Sequence, residues 1–84
     1  MGLKVNRGNC VEALRSTDGG LITGVVTLVQ GDELMVRPLG EHNPIPCFSV
    51  GRVVDLDELG EAQLEQAKLI QVDITYHDNK TRRL

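Results

Sequence analysis

The side chains best suited to metal binding or nucleophilic catalysis are two cysteines and two histidines, and they are scattered along the chain. Cys10 and Cys47 have no close-spaced cysteine partner, and His42 and His77 are equally far apart. Zinc sites usually draw their ligands from close pairs such as Cys-x-x-Cys or His-x-x-x-His, which this sequence lacks. We therefore predict no metal site and no bound cofactor.

Cys47 is the one candidate nucleophile, because His42 precedes it in a loop that also holds Pro44 and Pro46. A catalytic thiol needs a neighbouring base, which a loop histidine would supply. A buried cysteine at the start of a strand, beside a solvated histidine, explains the same residues without any chemistry. Free cysteine commonly behaves as a small core residue. We therefore favour reduced, structural cysteines and predict no catalytic residue and no enzymatic activity.

Acidic side chains are concentrated in residues 55–65, with no basic residue between them. Asp55, Asp57 and Glu58 would suit acid–base catalysis or a hard cation, but the first turn of a helix explains them better. An Asp followed three residues later by Glu can cap exposed backbone N–H groups, and carboxylates are favoured at the positive end of a helix dipole. The pattern predicts a short helix near residues 56–68.

Before that helix, the chain reads as a β-meander. Two runs rich in β-branched residues, 21–29 and 34–37, flank a short polar break containing Gly31. An earlier run, 9–15, is joined to them through Asp18-Gly19, a strong signal for a tight turn between strands. A fourth strand is expected to follow a loop at residues 39–46.

The last apolar segment has the cleanest alternation in the chain. Ile70, Val72, Ile74 and Tyr76 alternate with polar residues, which predicts a terminal strand over residues 70–77. We expect one domain at residues 1–77, followed by a polar C-terminal tail at residues 78–84.

The fold class predicted is mainly β, with one short helix. The elements fit a small antiparallel sheet or a partly open, SH3-like barrel of five to six strands. Small bent meanders of this kind recur in barrels that bind RNA, DNA, peptides or copies of themselves. The likeness is one of fold alone.

The low aromatic content of the chain helps to choose between nucleic-acid binding, peptide binding and self-association. Aromatic residues make up 2% of the chain, and we expect both of them, Phe48 and Tyr76, to face inward. Base stacking and peptide-binding grooves both need aromatic surfaces, whereas self-association needs only an exposed aliphatic one. We therefore predict a non-catalytic interaction module that binds itself or another protein. The candidate self-association surface is Val25, Val29 and Met35, although Val25 and Val29 fit a core equally well.

A small nucleic-acid-binding barrel is the less favoured alternative. The net charge is −3, and because residues 78–84 carry +2, residues 1–77 carry −5. A body of that charge repels phosphate unless its basic residues gather on one face. The candidate patch for this alternative comprises the following basic residues: Arg7, Arg15, Arg37, Arg52, Lys80, Arg82 and Arg83.

A cytoplasmic location is expected from the apolar pattern of the chain. No apolar run approaches the roughly 20 residues needed to cross a bilayer, so we expect no membrane contact. The first residues also lack the apolar core of a signal peptide.

Overall fold

A computed structural model describes the backbone of residues 5–82 and the side chains of residues 5–76. Four strands come first, followed by a 3₁₀ helix at Leu56–Glu58 and a long helix, α1, at Glu61–Arg82. The strands are β1 (Cys10–Arg15), β2 (Leu21–Gln30), β3 (Glu33–Pro38) and β4 (Ile45–Val53).

The four strands form a closed antiparallel barrel in the order β1-β2-β3-β4. Closure occurs because β1 pairs with β2 on one side and with β4 on the other. The predicted class, a mainly β barrel with one helix, is confirmed. The predicted count of five to six strands is wrong, because the four observed strands already pair with one another around the barrel.

The turns follow the local signals in the sequence. Between β1 and β2, the Asp18 carboxylate accepts a hydrogen bond from the Gly20 N–H at 2.9 Å, and Gly19 has a φ of +73°. Side chains of Asp characteristically close such turns, and glycine adopts a positive φ at little cost. A turn that includes Asp18-Gly19 is therefore confirmed, but residues 16–20 connect the two strands, so the turn is longer than the two residues predicted.

The barrel interior is filled by small and medium-sized side chains. Its buried members are Val11, Ala13, Val26, Leu34, Val36 and Cys47, with Val5, Ile22 and Val50 packed partly against them. No aromatic ring belongs to this group, in line with the aliphatic composition.

A second apolar cluster lies outside the barrel, between β2 and α1. Val25 is fully buried there against Ala67 and Ile70 of the helix. Partly buried side chains surround this contact: Leu39, Leu56, Leu59 and Ile74. Because successive side chains of a strand point to opposite faces, Val25 and Val26 bury themselves in two different cores.

The predicted terminal strand over residues 70–77 is wrong, as is the predicted helix end near residue 68. Both segments belong to α1, which runs continuously over Glu61–Arg82. Ile70 and Ile74, four residues apart, lie on one helical face together with Ala67, and that face packs against β2. Burial of this face outweighs the β-propensity of Ile70, Val72 and Ile74.

The boundary expected between a domain and its tail falls within this helix. The backbone of α1 continues through residue 82, while residues 83–84 and the side chains beyond residue 76 lie outside the described part. The division into residues 1–77 and 78–84 therefore stays a prediction. Among residues 5–82, no helix is long and apolar enough to span a membrane.

Gly24 lies where the backbone of β3 approaches β2 closely. A Cβ atom built at Gly24 would collide with the backbone of Arg37 and Pro38 on the neighbouring strand. Backbone atoms cannot move aside as a flexible side chain can, so only glycine fits this position without displacing a strand.

We predict that Gly24→Ala destabilises the barrel by about 2 kcal/mol or more, because the strands must separate to admit the methyl group. Gly51→Ala is the matched control. A Cβ atom at Gly51 would lie 3.5 Å from the Glu12 carbonyl oxygen, an ordinary contact, and its φ is not positive. Urea unfolding of both variants measures the difference. Equal stability of the two variants would contradict the close approach at Gly24.

Candidate functional site

The two cysteines are buried components of the fold. Cys10 and Cys47 are free thiols, and burial raises the pKa of both. At Cys47 the charge of Arg15 opposes this increase in pKa without cancelling it. His42 is exposed in the loop before β4. A raised pKa disfavours the thiolate, so neither cysteine has the electrostatic setting of an activated nucleophile.

The carboxylates of residues 55–58 do not cap a helix as predicted. Asp55 precedes the 3₁₀ helix, but its side chain makes no capping hydrogen bond; its backbone carbonyl accepts from the Glu58 N–H at 2.9 Å. The Glu58 carboxylate instead forms an ion pair with Arg52. Among the residues whose side chains are described, no group of three or more acidic, histidine or cysteine residues could hold a metal ion.

Arg52 joins two carboxylates from different parts of the chain. Its Nε lies 3.0 Å from Glu12 Oε1 on β1, and its Nη2 lies 2.8 Å from Glu58 Oε2 in the 3₁₀ helix. The hydrogen bond to Glu58 is the main reason that the pKa of Arg52 is raised. The same bond holds the pKa of Glu58 below its usual value. This cluster ties the segment after β4 to the barrel.

Two further arginines of the candidate nucleic-acid patch also face carboxylates. Arg15 pairs with Asp18 at 3.0 Å, and Arg37 pairs with Asp73 of α1 at 3.1 Å. Arg37 Nε also donates to the Glu41 carbonyl at 2.9 Å. These ion pairs partly neutralise the arginines within the chain, which does not favour a phosphate-binding surface.

Of the remaining basic residues of that patch, Arg7 alone has a described side chain. Arg7 is exposed in the turn before β1. The side chains of Lys80 and Arg82 lie outside the described part, as does all of Arg83. Nucleic-acid binding through these residues stays an untested prediction.

The three residues of the candidate self-association surface do not share one exposed face. Val25 has 0% exposure beneath α1, so its side chain is not available to a partner. Val29 is 43% exposed and pairs with the buried Leu34 near the end of the β2–β3 hairpin. Met35 is half-buried and points outward, between the interior residues Leu34 and Val36.

Met35 belongs to an apolar surface on the outside of the barrel. The pairing register places Leu28, Met35 and Pro46 side by side on three adjacent strands, and Phe48 lies two residues beyond Pro46. We call these four residues the outer sheet patch. A register irregularity at Thr27 turns Leu28 outward, because an extra residue in one strand reverses which side of the sheet the following side chains point to.

The largest exposed apolar side chains of α1 form a second surface. Leu69, Val72 and Tyr76 are 54%, 64% and 61% exposed, respectively, on the side of the helix away from β2. We call these three residues the helix stripe. A groove of about 470 Å³ runs beside it, lined by Lys68, Gln71, Val72, Thr75 and Tyr76.

The sequence reasoning missed the helix stripe because it assigned the segment to a strand. In a helix, residues spaced three and then four apart fall on one face, and Leu69, Val72 and Tyr76 have this spacing. The prediction that Phe48 and Tyr76 face inward is also wrong, because both rings are more than half exposed.

Comparisons with protein-family models, curated proteins and solved structures gave no match to this chain. Function is therefore inferred from the chain's own surfaces, namely the outer sheet patch, the helix stripe and the paired charges.

Burial predicts that both cysteines react slowly with thiol reagents. In the folded protein at neutral pH, we expect alkylation of Cys10 and Cys47 by iodoacetamide to be more than about tenfold slower than in the urea-unfolded chain. Mass spectrometry of quenched samples measures both rates. Rapid alkylation of Cys47 in the folded protein would restore it as a candidate nucleophile.

The Arg52–Glu58 contact predicts a pH-dependent contribution to stability. Because the pKa of Glu58 is lowered by folding, the charged carboxylate stabilises the fold above its unfolded pKa. This contribution is lost as the pH falls through the lowered folded value. We therefore expect Glu58→Gln to be less stable than wild type at neutral pH, with the difference vanishing in acid.

Urea unfolding at neutral and acidic pH provides the measurement. Asp57→Asn is the control, since Asp57 lies in the same 3₁₀ helix and forms no ion pair with the described residues. A Glu58→Gln deficit that persists unchanged in acid would show that its origin is not the ion pair.

Proposed function

We propose that this protein is a non-catalytic interaction module that associates with copies of itself in the cytoplasm. The observation that carries the proposal is the helix stripe. Leu69, Val72 and Tyr76 are each more than half exposed, on a face of α1 different from the one that packs against β2.

Burial of such a row would favour association. Completing the burial of each half-exposed apolar side chain contributes about 1 kcal/mol, so three side chains from each of two copies would contribute several kcal/mol. Scattered apolar residues are normal on protein surfaces, whereas contiguous apolar patches often mark interaction sites. The alignment supports an interaction surface.

The small size of the two cores also supports association. A chain of 84 residues has little apolar surface to bury, and oligomerisation is a common remedy for marginal stability. The barrel interior contains mainly valine, alanine and cysteine, and α1 is held by a few side chains around Val25. A second chain covering α1 would stabilise its folded form.

Self-association accounts for the charged side chains better than nucleic-acid binding does. Arg15, Arg37 and Arg52 are each balanced by a carboxylate of the same chain. Apolar association leaves these internal pairs intact, whereas phosphate binding would have to compete with them.

The expected solution mass is twice the 9.2 kDa of one chain, because the apolar row on one copy can be covered by the same row on another. Size exclusion coupled to light scattering measures it over a series of protein concentrations. We expect the dimer at both low and high salt, since burial of apolar surface is not screened. A mass of 9.2 kDa at every concentration would overturn self-association and leave a different protein as the partner.

A further inference from the structure

We propose that α1 is a lid on the barrel. It detaches as a unit while the four strands stay closed, and its opening exposes the Cys10 thiol and the outer face of β2 around Val25. Access to that face is therefore controlled by the position of α1. The lid involves the side of α1 that faces the barrel, so it is independent of what the helix stripe binds.

The barrel is complete without α1. Each of its four strands pairs with two neighbours, so no strand edge depends on the helix. Among the described residues, the barrel interior is filled from the strands and from Val5, and α1 contributes no side chain to it. Removal of α1 therefore leaves the interior packing and the strand pairing intact.

The apolar contact that holds α1 is smaller than the barrel interior. Ala67 and Ile70 are the fully buried side chains in the described part of α1, and Ile74 is partly buried beside them. Lifting α1 exposes this contact alone, whereas complete unfolding exposes the barrel interior as well. Because the cost of opening increases with the apolar area exposed, detachment of α1 requires less free energy than global unfolding.

Two polar contacts align α1 on the rest of the chain. Arg37 Nη1 pairs with Asp73 Oδ2 at 3.1 Å, and the Asp73 side chain is 60% exposed. Gln71 Nε2 donates to the Gly8 carbonyl at 2.9 Å, and this bond is only partly buried. Water can replace such contacts at modest cost, so they position α1 without locking it in place.

The ion pairs of Arg52 determine where the chain bends when α1 lifts. Arg52 attaches the 3₁₀ helix to β4 through Glu58, and it attaches β4 to β1 through Glu12. Only Leu59-Gly60 lies between this anchored segment and the start of α1. Among the described residues, nothing outside the adjoining backbone crowds the Cβ position of Gly60. We therefore expect the bend at these two residues.

Cys10 lies on the face of the barrel that α1 covers. In the register of β1 and β2 it stands opposite Val25, and opposite residues point to the same side of a sheet. The helix spans this position, since Ile70 packs against Val25 and Gln71 bonds to Gly8, two residues before Cys10. Cys10 is 3% exposed, so a reagent reaches its thiol only when this cover is removed.

Cys47 lies on the other side of the barrel wall. It is 0% exposed and belongs to the barrel interior, together with Val26 and Val36. Opening of the lid leaves Cys47 covered, and its thiol becomes accessible only when the strands separate. The two cysteines therefore report two different openings: Cys10 reports that of α1, and Cys47 reports that of the barrel.

The first experiment compares the two thiols in the folded, full-length chain. Alkylation by iodoacetamide is followed by mass spectrometry, and each rate is divided by that of the same thiol in the urea-unfolded chain. We expect the normalised rate of Cys10 to be at least about tenfold higher than that of Cys47, because α1 opens more often than the barrel. Equal normalised rates would overturn the lid.

Val25 and Val26 provide a matched pair of variants, because each is fully buried in a different core. Val26→Ala should accelerate Cys47 about tenfold and leave the Cys10 rate within about twofold of wild type, because Val26 stays buried when α1 lifts. Val25→Ala should accelerate Cys10 about tenfold, because lid opening releases the Val25 contact. If Val26→Ala accelerates both thiols by the same factor, only global unfolding exposes Cys10 and the proposal fails.

Hydrogen exchange of the wild type keeps the test decisive if a variant fails to fold. The backbone amides of residues 67–74 lie in the middle of α1, so fraying of the helix ends does not expose them. At low urea concentration, we expect these amides to exchange as one group, at least about tenfold faster than the slowest amides of the strands. A common exchange rate for both sets would show that α1 and the barrel open together, which contradicts the lid.

Discussion

Val25 and Val26, neighbours on β2, are both fully buried, yet they belong to different cores. Val26 packs inside the barrel, and Val25 packs outside it beneath Ala67 and Ile70 of α1. A shift of one residue in the pairing of β2 would exchange the two side chains and disrupt both cores at once. The register of a single strand therefore fixes how the barrel closes and where the helix lies.

Ion pairs connect elements that the apolar cores leave apart. Arg37 joins β3 to α1 through Asp73, and Arg52 joins β4 to β1 and to the 3₁₀ helix through Glu12 and Glu58. Each pair is solvated and contributes modestly to stability. Their more important effect is on recognition, because arginines engaged in the fold present less positive charge to a phosphate backbone. The surface that remains distinctive is apolar, on α1 and on the outer sheet patch.

The sequence was most informative where structure depends on neighbouring residues. The meander and the Asp18-Gly19 turn were predictable because turn chemistry and β-branched runs act locally. The helical structure of residues 70–76 was not predictable. Alternating Ile, Val and Tyr residues favour a strand, whereas the helix depends on contacts with Val25, which is distant in the sequence. The outward orientation of Leu28 likewise depends on a register irregularity at Thr27, which the residue types at these positions do not indicate. Of the three residues in the candidate self-association surface, Met35 does lie on an exposed apolar face. The helix stripe could not be predicted, because Leu69, Val72 and Tyr76 share a face only when residues 69–76 are helical.

The separation of the two cores has a consequence for how the chain is made. Residues 10–53 contain every strand of the barrel, so the barrel can close before α1 has been synthesised. The face that holds Val25 must wait for α1, whose buried residues follow more than 40 positions later. A nascent barrel therefore exposes a second, temporary apolar surface until its own helix covers it. During that interval, the outer face of β2 around Val25 is accessible to a chaperone or to a neighbouring nascent chain.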